Sequence, residues 1–229
     1  FQGLFFDLQS AFLYIRKLQI LIYPIKIRSG IGYGEIKYDV EEWESSAFDG
    51  EAYYLARDAI TAIKGKKSNT ICFNTKSRYD KYLNEFCVAD MSVKSRQSQV
   101  AHLIELIADI MLPMVYKEED AQFYYFIAKK KSRWIEQERW NKSSSRYRDV
   151  KVLDVDYDSL FWIREEYVKK EEPKLMFCMD EFWARGMSTK IAQVMHTTRQ
   201  NIDRYVSLGR IKESRTMDKA IFELLGEDI

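Results

Sequence analysis

The first part of the chain alternates between helical and strand-like patterns of hydrophobic residues. Apolar side chains every three or four positions predict amphipathic helices over about residues 6–22 and 52–63. Apolar side chains at every second position predict strands at residues 25–28, 33–38 and 70–73. The tetrapeptide at residues 29–32 contains two glycines and is expected to form a turn or bulge. This order of elements predicts an α+β fold.

From residue 79 onward the pattern is helical, with apolar residues spaced by three, four or seven positions up to Pro113. The stripe fits an intrachain core helix better than a surface that pairs with a second chain. Residues 117–174 are dense in charged and aromatic side chains, and cations beside flat rings can bind phosphates and bases. Acidic residues interrupt this run, so a solvated helical connector, with a loop at residues 143–145, is the favoured interpretation.

The strongest local signal lies between Gly186 and Val206. Gly186 and Ser188 can open a first helix, and Ala192 is small enough for two helices to cross there. A short turn at His196 follows, and Thr198 can cap a second helix. Many such turns carry glycine, so His196 is acceptable if the turn is not strongly left-handed. Ile191, Val194 or Met195, Ile202 and Val206 supply the predicted shared core. The pattern predicts a helix-turn-helix over residues 185–226.

Polar side chains on the second helix and just after it suit contacts with double-stranded DNA. The candidate DNA-binding residues are Thr198, Arg199, Gln200, Asn201, Arg204, Arg210 and Lys212. Residues 185–219 carry eight basic and three acidic residues, a local charge of +5, whereas the whole chain carries +1. A three-helix bundle that binds protein is the alternative.

Composition excludes several classes of protein. The hydrophobic fraction of 46% is too high for a disordered chain. The three cysteines are far apart, which indicates neither a disulfide framework nor a zinc site and suggests a cytoplasmic protein. His102 and His196 are assigned to packing, and no catalytic or metal-binding residue is predicted. Charged residues interrupt the apolar N-terminal stretch before it is long enough to span a membrane.

Gly30, Gly32 and Gly34 alternate along the chain. If they share a strand, they leave one face bare, which lets a ligand or another backbone approach closely. This is not a dinucleotide-binding fingerprint, because residues 35–38 continue extended instead of opening a helix. A purely structural use of the glycines remains the alternative.

Three sequence blocks, residues 1–5, 23–36 and 49–60, resemble successive blocks of the SatD family. Together with the C-terminal helices, the resemblance covers about residues 1–76 and 176–226, since such proteins also end in a helix-turn-helix. The first residue, Phe1, indicates a start inside a longer polypeptide or a cloning remnant. The family comparison favours the former, with a first strand and its acidic residue missing.

The same blocks are similar, more distantly, to class III nucleotidyl cyclases and imply a ferredoxin-like domain. Arg28, Gly30, Ile31, Gly34 and Glu35 match the cyclase strand motif. The helix departs from the pattern, because Tyr54 and Asp58 stand where asparagine and arginine are expected and Arg57 is one residue out of register. The residues that the resemblance assigns to a nucleotide are Arg28, Gly30, Gly32, Gly34, Glu35 and Arg57.

The leading hypothesis is a DNA-binding transcriptional regulator with a catalytically degenerate cyclase-like domain that senses a ligand or dimerises. Its predicted parts are residues 1–76, a helical connector at 77–175 and a helix-turn-helix domain at 176–229. The alternative is a nucleotidyl cyclase-type enzyme whose magnesium-binding acids precede Phe1. A structural adaptor that binds protein is a third possibility without a positive motif. The expected partners are DNA, a nucleotide ligand and a second copy of the chain, with no resident cofactor.

Overall fold

A computed structural model describes residues 2–38, 48–66, 70–115, 120–142, 155–156, 159–160 and 181–226. The helices within these residues are α1 (Leu8–Ile22), α2 (Glu51–Ala62), α3 (Asp80–Lys94), α4 (Gln99–Met111), α5 (Asp120–Lys142), α6 (Met187–Val194), α7 (Arg199–Gly209) and α8 (Ile211–Leu224). The strands are β1 (Ser29–Gly32), β2 (Ile36–Tyr38), β3 (Phe48–Gly50) and β4 (Ile71–Asn74). The predicted α+β class is confirmed, with eight helices and little sheet in the part described. The loop expected at residues 143–145 and the third cysteine, Cys178, lie outside it.

Two pairs of strands form the sheets. β1 pairs in parallel with β4, with Gly30 opposite Cys72 and Gly32 opposite Asn74. β2 pairs antiparallel with β3. The strand predicted at residues 25–28 is wrong, because the extended pairing begins at Ser29, whose N–H donates to the Thr70 carbonyl at 2.7 Å. The residues expected to turn therefore form the strand.

The chain divides into two compact units. The first contains Phe1–Gln19, Ile25–Ser95 and Met217–Ile229, and the second contains Ile20–Pro24 and Arg96–Thr216. These boundaries differ from the three consecutive parts predicted from the sequence, since α8 contributes residues to both units.

The core of the first unit joins residues from the two ends of the chain. Phe12 on α1 and Phe73 on β4 are buried, with ring centroids 6.3 Å apart. Ile221 and Leu225, near the C-terminus, are buried in the same hydrophobic cluster. The last turns of α8 are therefore part of this core.

The second unit is built around α4. Every residue from Val100 to Met111 is buried, including charged ones, so no face of this helix is left for solvent. Its start is capped by Ser98, whose Oγ accepts a hydrogen bond from the Ala101 N–H at 3.2 Å. Side chains of α5, α6 and α7 share its hydrophobic cluster, which is what an intrachain core helix requires.

Candidate nucleic-acid interface

Helices α6 and α7 form a helix, turn and helix within the second unit. Gly186 precedes α6 in the left-handed region, with φ of 83°. Thr198 precedes α7, and its Oγ1 accepts a hydrogen bond from the Asn201 N–H at 3.2 Å. Both positions were predicted as helix starts, and the two caps are confirmed. The caps fix where the exposed N-terminal turn of α7 begins.

The turn between the two helices is left-handed. His196 has φ of 45°, a conformation that glycine adopts without steric cost and that other residues seldom adopt. The condition under which His196 was acceptable, a turn that is not left-handed, is therefore not met. The turn is closed by the Thr197 N–H, which donates to the Ala192 carbonyl at 2.9 Å. The backbone has the shape expected where such motifs carry glycine.

The face between α6 and α7 is apolar and buried, as predicted. Ile191 and Val194 of α6 lie in one hydrophobic cluster with Ile202 and Val206 of α7, and Ala192 is 4% exposed. The same cluster contains the apolar residues of α4. The core beneath α7 is thus supplied from far outside the predicted helix-turn-helix domain.

Two contacts fix the end of α7 to the start of α4. Gln97 is buried, and its Nε2 donates to the Gly209 carbonyl at 2.7 Å. A Cβ added to Gly209 would lie 3.0 Å from the Cβ of Ala101, so the two helices approach closely there. These contacts fix the C-terminal end of α7 against the start of α4.

The outward face of α7 carries Gln200, Arg204 and Ser207, spaced by four and three residues. All three are exposed, and the buried residues Ile202 and Val206 lie on the opposite side. Ser207 was not among the predicted residues, although its helical spacing from Arg204 was available in the sequence.

The other predicted DNA-binding residues of α7 flank this face. Arg199 Nε donates to Asp203 Oδ2 at 3.3 Å, and both side chains are exposed. Asn201 Nδ2 donates to Thr197 Oγ1 at 3.0 Å. Because exposed contacts of this kind break at little cost, both side chains remain able to contact a base or a phosphate.

The remaining two predicted DNA-binding residues lie at the junction of α7 and α8. Arg210 adopts a left-handed conformation, with φ of 48°, and forms an exposed ion pair with Glu213 at 3.4 Å. Lys212 forms an ion pair with Glu181 at 3.0 Å. Exposed pairs of this kind break at little cost, so both cations remain able to contact a phosphate.

The residues predicted to bind a nucleotide lie in the first unit, on or beside β1 and on α2. Arg28 precedes β1, whereas Gly34 and Glu35 follow it, so these residues lie at opposite ends of the strand. Arg57 is exposed on α2. The assignment of these residues to a nucleotide stays a prediction.

The bare face of the glycine strand is covered by α2. A Cβ on Gly30 would lie 2.2 Å from the Ala56 carbonyl oxygen, and one on Gly32 would lie 2.3 Å from the Ala52 carbonyl oxygen. Of the two possibilities, a ligand or another backbone, the structure shows the backbone of α2 against this face at Gly30 and Gly32. The structural alternative applies, because the glycines let helix and strand backbones meet.

The N-terminus of α2 is occupied by an ion pair. Glu51, in the first turn of α2, accepts a hydrogen bond from Lys76, which follows β4. The hydrogen bond and the charge of Lys76 lower the pKa of Glu51 below its ordinary value.

Among the described residues, no cluster of three or more histidines, cysteines or acids is placed to hold a metal ion. No described helix has both the length and the apolarity needed to cross a membrane.

Comparison with known families gives one match. A sequence model of the SatD family matches residues 1–144, more than half of the 229 residues. The chain belongs to the SatD family. The match runs through residues 77–144, which the resembling blocks do not cover, and it ends before α6. No curated protein and no solved structure matches this SatD-family chain.

Proposed function

We propose that this SatD-family protein is a DNA-binding transcriptional regulator and that α7 is its recognition helix. One observation carries the proposal: the capped, well-supported helix α7 presents Gln200, Arg204 and Ser207 to solvent along one face. A helix-turn-helix protein places such a face in the major groove of DNA.

The side-chain chemistry of this face suits base edges. The amide of Gln200 can form two hydrogen bonds with adenine, and the guanidinium of Arg204 can form two with guanine. The hydroxyl of Ser207 can donate or accept. Arg210 and Lys212, at the junction with α8, are placed to contact phosphates, which adds affinity without sequence preference.

In this proposal, the first unit senses a ligand or forms a dimer. Its support is the SatD match, together with the agreement of Arg28, Gly30, Ile31, Gly34 and Glu35 with the cyclase strand motif. A dimer would place two copies of α7 on the two halves of a palindromic site.

Binding to duplex DNA tests the proposal. Selection from a pool of random duplexes would identify a preferred site, on which the variants are then titrated. Gln200→Ala and Arg204→Ala should each cost about 1–3 kcal/mol on that site and relax its sequence preference. Lys212→Ala should instead weaken binding to all sequences similarly.

Arg96→Ala is the matched control, because Arg96 is an exposed arginine of the same unit outside α7. This variant should bind the selected site as the unaltered protein does. The regulator proposal fails if no duplex is bound in a salt-sensitive way at low ionic strength.

A further inference from the structure

Helix α5 exposes a stripe that the recognition helix does not involve. The exposed residues of its described middle part are Phe126, Lys130, Arg133 and Gln137, at spacings of four, three and four. These spacings place the four side chains along one face of the helix. At 1.5 Å per residue, the stripe is roughly 16 Å long.

The stripe combines an exposed ring with two cations. Phe126 is 56% exposed, and Lys130 Nζ lies 5.3 Å from the centre of its ring. Arg133 is exposed one turn further along. Lys131, although part of the same basic run, points the other way and is buried. Of the three cations Lys130, Lys131 and Arg133, only Lys130 and Arg133 are therefore exposed, and both lie on the same helix face as the ring.

The positions around Lys130 carry no acid. A solvated helix face usually sets lysine against glutamate three or four residues away. At those distances from Lys130, the residues are Phe126, Ile127, Arg133 and Trp134. Glu136, three residues beyond Arg133, is half-buried. Along the helix itself, the stripe thus keeps a local excess of positive charge beside an exposed aromatic ring.

We propose that this α5 stripe binds single-stranded nucleic acid, independently of α7. Lys130 and Arg133 neutralise successive phosphates, Phe126 stacks on an unpaired base, and Gln137 offers a hydrogen bond to a base or sugar. Stacking on Phe126 favours single strands over duplexes, because the faces of the bases in a duplex are already stacked on each other and cannot contact the ring. Lys130 and Arg133 alone could bind the phosphates of either single-stranded or double-stranded nucleic acid.

Binding of a labelled oligothymidine of about 16 nucleotides tests the proposal. Fluorescence anisotropy of the full chain should show salt-dependent binding. The double variant Lys130→Gln/Arg133→Gln should lower the slope of log K against log salt by about 1.4, because each single-strand phosphate contact contributes about 0.7. Phe126→Leu, which keeps an apolar side chain but removes the ring, should weaken binding about fivefold or more.

The double variant Lys81→Gln/Arg96→Gln is the matched control, since it removes two exposed cations outside the stripe. It should bind the oligonucleotide as the unaltered protein does. Equal affinity and salt slope for the stripe variants and the unaltered protein would overturn the proposal. Tighter binding of the corresponding duplex than of the oligothymidine, together with no effect of Phe126→Leu on binding, would also overturn the proposal.

The two functions fail separately. Arg204→Ala should leave oligothymidine binding unchanged, and the stripe variants should keep the sequence preference on the selected duplex. If the protein binds no duplex but its single-strand binding depends on the stripe, the regulator proposal fails and the α5 proposal stands.

Discussion

At the residue scale, Lys131 has an unusual environment for a lysine. It is 2% exposed, and its Nζ donates to the carbonyls of Ile20 and Leu21 in the last turn of α1. Burial lowers the pKa of Lys131 to about 7, and the nearby carboxylate of Glu105 offsets only part of this shift. The carbonyls at the end of α1 and the carboxylate of Glu105 favour the charged ammonium, but its removal from water disfavours the charge more strongly.

This environment predicts a pH dependence of stability. Between pH 7 and about 10.5, the unfolded chain keeps the Lys131 proton while the folded chain has lost it, so this group makes stability rise with pH. The slope is at most about 1.4 kcal/mol per pH unit. Urea unfolding between pH 6 and 9.5 should show this extra slope in the unaltered protein relative to Lys131→Met.

Lys130→Met is the control, because the neighbouring Lys130 is exposed. Its unfolding free energy should run parallel to that of the unaltered protein across this pH range. Parallel curves for Lys131→Met as well would show that Lys131 does not lose its proton in the folded state near pH 7.

At the element scale, the packing of β1 on α2 depends on two missing side chains. Gly30 and Gly32 face the backbone of α2, and the atoms a Cβ would meet are carbonyl oxygens and amide nitrogens. Backbone atoms of a helix cannot swing aside as the tip of a long side chain can. The approach of helix and strand is therefore fixed by these glycines.

Gly32→Ala should lower the free energy of unfolding by more than about 3 kcal/mol, since its Cβ would meet backbone atoms at 2.3 and 2.4 Å. Gly65→Ala is the comparison. Gly65 has φ of 89° but nothing within 4 Å of an added Cβ, so it should cost only about 1–2 kcal/mol of conformational strain. Urea titrations of both variants measure the difference. Similar costs would mean that α2 moves away from β1 freely.

Local pattern predicted α1, α2 and β4 well, because the strand expected at residues 70–73 is Ile71–Asn74, but it missed β1. The ends of α1 and α2 agree with the periodicity of their apolar residues within two residues. β1, in contrast, contains Gly30 and Gly32, which are poor strand formers in isolation. It becomes a strand because β4, some forty residues later, pairs with it.

In the candidate interface, too, the features that follow from local sequence were predicted and those that depend on the folded chain were not. The cap at Thr198 and the apolar spacing of α6 and α7 are local features that the sequence predicts. The left-handed conformation of His196 depends on the folded turn, which the Thr197 N–H closes by donating to the Ala192 carbonyl, so local spacing could not predict it.

At the scale of the whole molecule, a residue near the C-terminus completes a charge network near the N-terminus. Asp218 on α8 is 1% exposed and accepts hydrogen bonds from Arg16 on α1 and from Lys94 on α3, the latter at 2.7 and 2.8 Å. Asp90 also pairs with Lys94. Burial opposes ionisation of Asp218, yet the charges of Arg16 and Lys94 hold its pKa below the ordinary value. The carboxylate therefore stays ionised between two buried cations.

Removing that single charge should destabilise the first unit strongly. Asp218→Asn keeps the size of the side chain but leaves Arg16 and Lys94 buried with less compensation, which should cost about 3–5 kcal/mol in unfolding free energy. Glu223→Gln, five residues further along α8, removes the same charge from an exposed side chain that pairs with the half-buried Lys219 at 3.0 Å, and should cost less than about 1 kcal/mol. Urea unfolding followed by circular dichroism compares the two variants. If both cost under 1 kcal/mol, water must reach the cations once Asp218 is neutral, and α8 cannot be held to α1 and α3 by charge. A large loss for Asp218→Asn alone would show that a residue beyond the SatD match at 1–144 is needed to stabilise the first unit, most of which the match covers.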